Sequence, residues 1–262
     1  MEGGTSVASL SGASSTASWR ERLPTFVGLG IVFGWVAIHL RGSDPSLLLE
    51  RYGVQFHQLH GGGYWIDPES LGRATWRISL AFGLSWIVAL ALVLTVVLWE
   101  RRPLASIGLR TPTVGDFVPA LLALVGFYLV GHLGNWLGSL PNPLMGAITY
   151  ALPLAVRLFA VSGVVCEEIM FRGYLIERLE NLTRSTWVAA ILSSLLFGLS
   201  HAAGRGFGYV PIVAAVGGVY AALYVWRRNL PTCMVVHFAT DASVLWMPLA
   251  PEVWLPRLLH LF

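Results

Sequence analysis

Long apolar runs separated by short polar breaks dominate the chain. Leu23–Leu40 is 18 residues without an Asp, Glu, Lys or Arg, close to the roughly 20 needed to cross bilayer hydrocarbon. Ile78–Trp99 is the cleanest run, stopped by Glu100, Arg101 and Arg102. A third covers Phe117–Leu137, and a fourth begins near Ala147 and continues into a charged motif. Three more follow at Thr186–His201, Gly208–Trp226 and Leu230–Leu249, and Trp254–Phe262, too short to span, is expected at the interface. The pattern predicts an all-α fold, a polytopic transmembrane helical bundle of about seven to eight spans.

The breaks divide the chain further. Residues 1–18, rich in Ser, Gly and Ala, read as a disordered cytoplasmic tail; Arg20 and Arg22 follow it directly before the first apolar run, which could act as an uncleaved signal anchor. Residues 19–146 hold the N-terminal spans, 147–249 the charged motifs, and 250–262 the interfacial end. Between the first two spans, Arg41–Arg77 is polar, with Gly61-Gly62-Gly63 and the acid–proline pairs Asp44-Pro45 and Asp67-Pro68. It is expected to be an outer loop that can include a short interfacial helix. No internal repeat supports an inverted-repeat transporter.

Composition agrees with a membrane setting. Hydrophobic residues make up 55% and charged residues 12%, with a mean hydropathy of +0.67; a soluble domain carries roughly a quarter charged residues. The net charge of +3 comes from arginine alone, since the chain has no lysine. That suits anionic lipid headgroups as partners, and no basic cluster alternates with aromatics, so nucleic acid is excluded as a partner. Arginine placement sets orientation. With a cytoplasmic N-terminus, the inner segments hold Arg20, Arg22, Arg101, Arg102, Arg110, Arg178, Arg184, Arg227 and Arg228, while the 202–207 loop outside holds only Arg205. The first outer loop breaks this trend with Arg41, Arg51, Arg73 and Arg77. Cys166 and Cys233 fall in apolar stretches and read as small buried residues.

Ionisable residues within spans are expensive and mark function by default. Three groups occur in the second half. In Cys166-Glu167-Glu168-Ile169-Met170-Phe171-Arg172-Gly173, Glu168 and Arg172 are four apart and can pair. Glu167 is turned by about 100° and can face a cavity; a helix end reaching the interface is the bland alternative. In Phe197-Gly198-Leu199-Ser200-His201, a lone histidine reads by itself as a hydrogen-bonded structural residue. In His237-Phe238-Ala239-Thr240-Asp241, the acid can fix the orientation and tautomer of the histidine, or the pair can seal a helix contact. His132 and Asn135, in the third run, are expected to make interhelical hydrogen bonds. Together the three groups supply what peptide hydrolysis needs: a base for water in Glu167, a proton carrier in His201, and an oxyanion donor in His237.

The ordered set Glu167-Glu168-x-x-x-Arg172, Phe197-x-x-x-His201 and His237-x-x-x-Asp241 resembles the CAAX-protease and bacteriocin-processing (CPBP, or Abi) family, which includes the type II CAAX prenyl endopeptidases. Arg228-Asn229-Leu230-Pro231 also resembles the family's approach to the last helix. The resemblance covers about Ala147–Leu249. It implies an intramembrane endopeptidase whose Glu167 activates water with help from His201. Glu168 and Arg172 would organise the site, and His237 and residue 241 would serve the oxyanion. Where the family commonly has Asn, this chain has Asp241, and an ionised Asp cannot donate a hydrogen bond. The resemblance implies a metal-free glutamate mechanism. The family was long labelled as metalloproteases, and zinc held by Glu167, His201 and His237 is the alternative, although His-Glu-x-x-His is absent.

The expected substrate is a membrane-anchored or lipidated peptide, and the all-arginine composition hints at a bacterial cytoplasmic membrane. Two readings of another class stay open: a non-catalytic immunity or peptide-binding protein on the same scaffold, and a proton-coupled transporter.

Overall fold

The computed structural model describes residues 19–40, 44–60, 63–137, 143–203, 205–242 and 245. The expected tail at 1–18 and interfacial segment at 250–262 lie outside the described residues. Helices dominate, as predicted. Helix α1 covers Trp19–Leu40 and α2 covers Pro45–Tyr52, followed by the strands β1 (Phe56–Gln58) and β2 (Tyr64–Ile66). Helix α3, Pro68–Leu94, runs into a π-helical turn at Thr95–Trp99; α4 is Phe117–Trp136 and α5 is Pro143–Ala151. Helix α6, Leu154–Glu167, continues through a π-helical segment, Glu168–Ile176, into α7, Glu177–Thr183. The last described helices are α8 (Thr186–Ser200), α9 (Val210–Arg227) and α10 (Leu230–Asp241).

Four described stretches are long and apolar enough to cross a membrane: Glu21–Leu40, Pro68–Trp99, Val114–Trp136 and Phe207–Arg227. Thr186–Ser200 is apolar but shorter. The chain is an integral membrane helical bundle, broadly compatible with the expected seven to eight spans. The fourth expected span is interrupted between α5 and α6, where Pro153 stands immediately before α6 and cannot continue the helix of α5. The last expected span, to Leu249, is described only in part.

The polar stretch after α1 differs most from expectation. The two acid–proline pairs are helix starts: Asp44 caps α2 through Ser46 N at 2.9 Å and Asp67 caps α3 through Ser70 N at 2.7 Å, each with proline in the first turn. Helix α3 therefore begins ten residues before the expected Ile78. Antiparallel pairing of Phe56 with Ile66 and Gln58 with Tyr64 forms a small hairpin. Leu49, Val54, Leu71, Ala74, Ile78, Leu144, Ile148 and Leu152 form a separate small core under it. The segment is a folded cap with its own apolar interior.

The main core is built from α1, α3, the π segment and α8–α10, with Val32, Leu92, Phe171, Tyr174, Tyr220 and Leu230 all fully buried. Close helix approach depends on glycine. A Cβ on Gly198 would stand 2.8 Å from Ala214 Cβ and from the Val210 carbonyl oxygen, so α8 and α9 touch backbone to backbone.

At the end of the bundle where α1 begins, charged residues clamp the helices. Glu100, read as one of the residues that stop the second span, has a buried side chain and takes Arg178 Nη2 at 2.5 Å, Tyr174 Oη at 3.0 Å and Thr25 Oγ1 at 3.2 Å. Asp116 binds Arg227 Nε at 2.6 Å. Arg228 Nη1 binds Glu177 at 2.8 Å and Glu180 at 2.6 Å. The Leu230 N–H donates to the Gly108 carbonyl at 2.8 Å, and Asn229 caps α10 through Thr232 N. The 100–116 segment thus ties α3, α7, α9 and α10 together and fixes how far α10 reaches into the bundle.

Candidate active site

Helix α6 carries Glu167 at its last residue, and the chain changes from α to π hydrogen bonding at Glu168. All nine residues of the π segment are buried. Such segments appear mostly as short bulges at functional sites; here one coincides with the charged motif. Ser193 Oγ on α8 donates to the Phe171 carbonyl at 2.7 Å, an extra bond of the kind that satisfies irregular helical backbone.

Glu168 and Arg172 have no exposed side-chain surface and pair at 3.0 Å. The guanidinium also donates to the Gly217 carbonyl at 3.3 Å. It lies 4.2 Å from the Phe197 ring centroid and 5.1 Å from that of Tyr220, so two aromatic rings pack against a delocalised cation. Gly217 permits this approach, because a Cβ there would meet the Phe197 ring at 2.9 Å.

His237, eight residues into α10, points its Nδ1 at the same Glu168 oxygen, 2.8 Å away. The carboxylate accepts, so Nδ1 carries the proton and Nε2 faces the cavity. Nε2 lies 3.8 Å from Glu167 and 3.8 Å from Asp241. The orienting acid is therefore Glu168, from 69 residues earlier in the chain, and not the expected helical neighbour Asp241. Asp241 keeps 45% of its side chain exposed, and its helix position sets it at the cavity wall.

His201 sits just past the last residue of α8. Its Nδ1 donates to the Phe197 carbonyl at 2.9 Å, satisfying one of the free carbonyls of the helix end. That leaves Nε2 as an acceptor 3.9 Å from Glu167. All six predicted residues, Glu167, Glu168, Arg172, His201, His237 and Asp241, belong to one connected cluster. Separations of 3.8–3.9 Å exceed a direct hydrogen bond and suit a bridging water. Among the described residues no group of three or more His, Cys, Asp or Glu is placed to hold a metal ion.

A cavity of about 260 Å³ adjoins the cluster, lined by His201, His237 and Asp241 together with Asn135, Arg205 and Tyr220. It lies toward the end of the bundle where α4 finishes and the α8–α9 turn runs, opposite the arginine clamps. Asn135 was expected in an interhelical hydrogen bond; it is exposed and faces this cavity, while His132 is exposed on the same helix. Tyr220 had no predicted role. It bonds Thr240 at 2.7 Å, and Thr240 donates to the His237 carbonyl at 2.7 Å, bracing the histidine from behind. A tyrosine 20 residues from Thr240 on another helix gives no local spacing signal. Cys166 and Cys233 are buried and free, as expected.

Residues 148–243 match the family model described as Type II CAAX prenyl endopeptidase Rce1-like. Across 234 residues the chain is 24% identical to the Bacillus subtilis (strain 168) protein named "Putative membrane peptidase YdiL", covering 84% of this chain and 88% of that one. No solved structure matches the chain. The resemblance to CAAX-type membrane proteases read from the three motifs is borne out, and it falls on the region that carries the cluster.

Proposed function

We propose that the chain is an intramembrane endopeptidase in which Glu167 activates a water for attack on a peptide carbonyl. The observation that carries this reading is the convergence of two histidine Nε2 atoms on one carboxylate, at 3.8 and 3.9 Å, each imidazole being held at its other nitrogen. The family match over 148–243 supports it.

In this mechanism His201 Nε2 accepts one hydrogen bond from the water, and Glu167 accepts and then removes the other proton. The water oxygen bonds to the scissile carbonyl carbon. The carbonyl oxygen becomes an oxyanion and takes a hydrogen bond from His237 Nε2–H, available when the ring is doubly protonated between Glu168 and the substrate. Collapse of the tetrahedral intermediate breaks the C–N bond. The proton on Glu167 passes to the leaving nitrogen, and the product acid releases its own. Arg172 holds the Glu168 carboxylate in place, and Asp241 adds negative charge beside His237. No metal takes part in this scheme. The substrate is a membrane-anchored or lipidated peptide that reaches the cavity from within the bilayer. With the N-terminus in the cytoplasm of a bacterial cell, the cavity mouth faces the outer leaflet.

The test is hydrolysis of a lipidated peptide library by the full chain in liposomes, with wild type, Glu167→Gln and His201→Ala, each with and without chelator. Cleavage that survives chelation and disappears in both variants supports the proposal. Chelator-sensitive cleavage overturns the metal-free scheme, and tight peptide binding with no cleavage by the wild type overturns the enzymatic one.

A further inference from the structure

A second cavity, of about 410 Å³, opens at the other end of the bundle. Arg22 from α1, Arg102 after α3, Arg178 from α7 and Arg184 after α7 all line it, with Glu21 as its single acid. The Arg178 charge is matched by Glu100. No ion pair joins Arg22, Arg102 or Arg184 to a carboxylate among the described residues. Three guanidinium groups from separate parts of the chain therefore face one concave space against one glutamate. Thr25 and Asn181 add neutral hydrogen-bonding groups to the wall.

The surroundings are those of a bilayer interface. The cavity lies between the first turn of α1 and the end of the 68–99 span. Trp19 and Trp99, at those same two positions, expose 67% and 49% of their surface, as indoles do at headgroup level. Arginine forks match the paired oxygens of a phosphate, and basic pockets between spans on the cytoplasmic side suit anionic headgroups. We propose that this cavity binds the phosphate of an anionic phospholipid in the cytoplasmic leaflet. The lipid would bridge α1, the end of α3 and α7, and so hold the helix that leads directly from the Glu168 segment.

The test is native mass spectrometry of the full chain in detergent with phosphatidylglycerol or phosphatidylcholine. It compares wild type with Arg22→Gln/Arg184→Gln and with a control on α2 and the start of α3, Arg51→Gln/Arg73→Gln. Arg22 and Arg184 are exposed, and an unchanged melting temperature will show that the variant is folded. Wild type and control should retain phosphatidylglycerol about tenfold better than phosphatidylcholine, and the Arg22/Arg184 variant should lose that preference. Equal retention by wild type and that variant overturns the site. Displacement of the lipid by millimolar inorganic phosphate or glycerol 3-phosphate would show that a soluble phosphate is the ligand, and overturns the lipid assignment.

Discussion

His237 Nδ1 and Glu168 Oε1 meet at 2.8 Å inside the bundle, with the side chains 4% and 0% exposed. This contact joins two motifs that are far apart in sequence and decides which nitrogen of the histidine faces the cavity. Glu168→Gln keeps the shape and removes the charge. Turnover should fall by about 10²–10⁴, by analogy with neutralising the acid behind a catalytic histidine, with KM little changed. Steady-state kinetics on a cleaved peptide checks this.

Asp241 is half-exposed and 3.8 Å from the nearest histidine nitrogen. Asp241→Asn should keep turnover within about tenfold of wild type, since a rim charge in high dielectric contributes little. A loss as large as that of Glu168→Gln would show that Asp241 has a direct role.

The buried pair of Glu100 and Arg178 is a structural clamp remote from the cavity beside His201 and His237. Glu100→Gln leaves the guanidinium unpaired and should cost about 3–5 kcal/mol, while the double variant Glu100→Gln/Arg178→Met should recover most of it. Thermal unfolding in one detergent gives both values.

Gly198→Ala forces a Cβ to within 2.8 Å of α9. The expected penalty is about 1–3 kcal/mol from overpacking, read as a lower melting temperature, with no comparable loss for alanine at Gly208, whose Cβ meets nothing within 4 Å.

Glu180, at the end of the bundle outside the spans, has its carboxyl held below the usual range, chiefly by the hydrogen bond from Arg228. A depressed folded-state value means stability that is present above the unfolded value of about 4.3 and lost as pH falls through the folded one. Glu180→Gln should therefore flatten the acid limb of melting temperature against pH below about pH 5, and leave the neutral region with a small constant loss.

What was legible in the sequence follows a physical divide. Glu167, Glu168, Arg172, His201, His237 and Asp241 stand out because a charge in an apolar run has few explanations. Pairings within a run, such as Glu168 with Arg172, follow from helix spacing. Pairings between runs do not. Asp241 looked like the partner of His237 because it is four residues away, yet the carboxylate in contact comes from another helix. Glu100, Asp116 and Glu177 sit beside span ends and look like solvated breaks, although their arginine partners lie 78, 111 and 51 residues further on. The cap at 44–66 read as a loop because its apolar stretches, such as Leu47-Leu48-Leu49 and Tyr64-Trp65-Ile66, are too short to show a period. Its two helix starts were visible as acid–proline pairs, and those same pairs are also turn signals.

The π-helical segment from Glu168 to Ile176 has a consequence for how this chain can change. An α-helix advances about 100° for each residue, whereas a π-helix spends one more residue in each hydrogen-bonded turn. Removing any single residue between 169 and 176 would let the backbone return to regular α geometry. Because the π turns carry that residue in excess, Glu167 and Arg178 would keep much of their relative direction, whereas one residue added to the segment in α geometry would turn one against the other by about 100°. The length of this segment acts as a phase key: substitutions within it are packing problems and a single deletion can be absorbed by the π turns, but an insertion rewrites which end of the helix is correctly aimed.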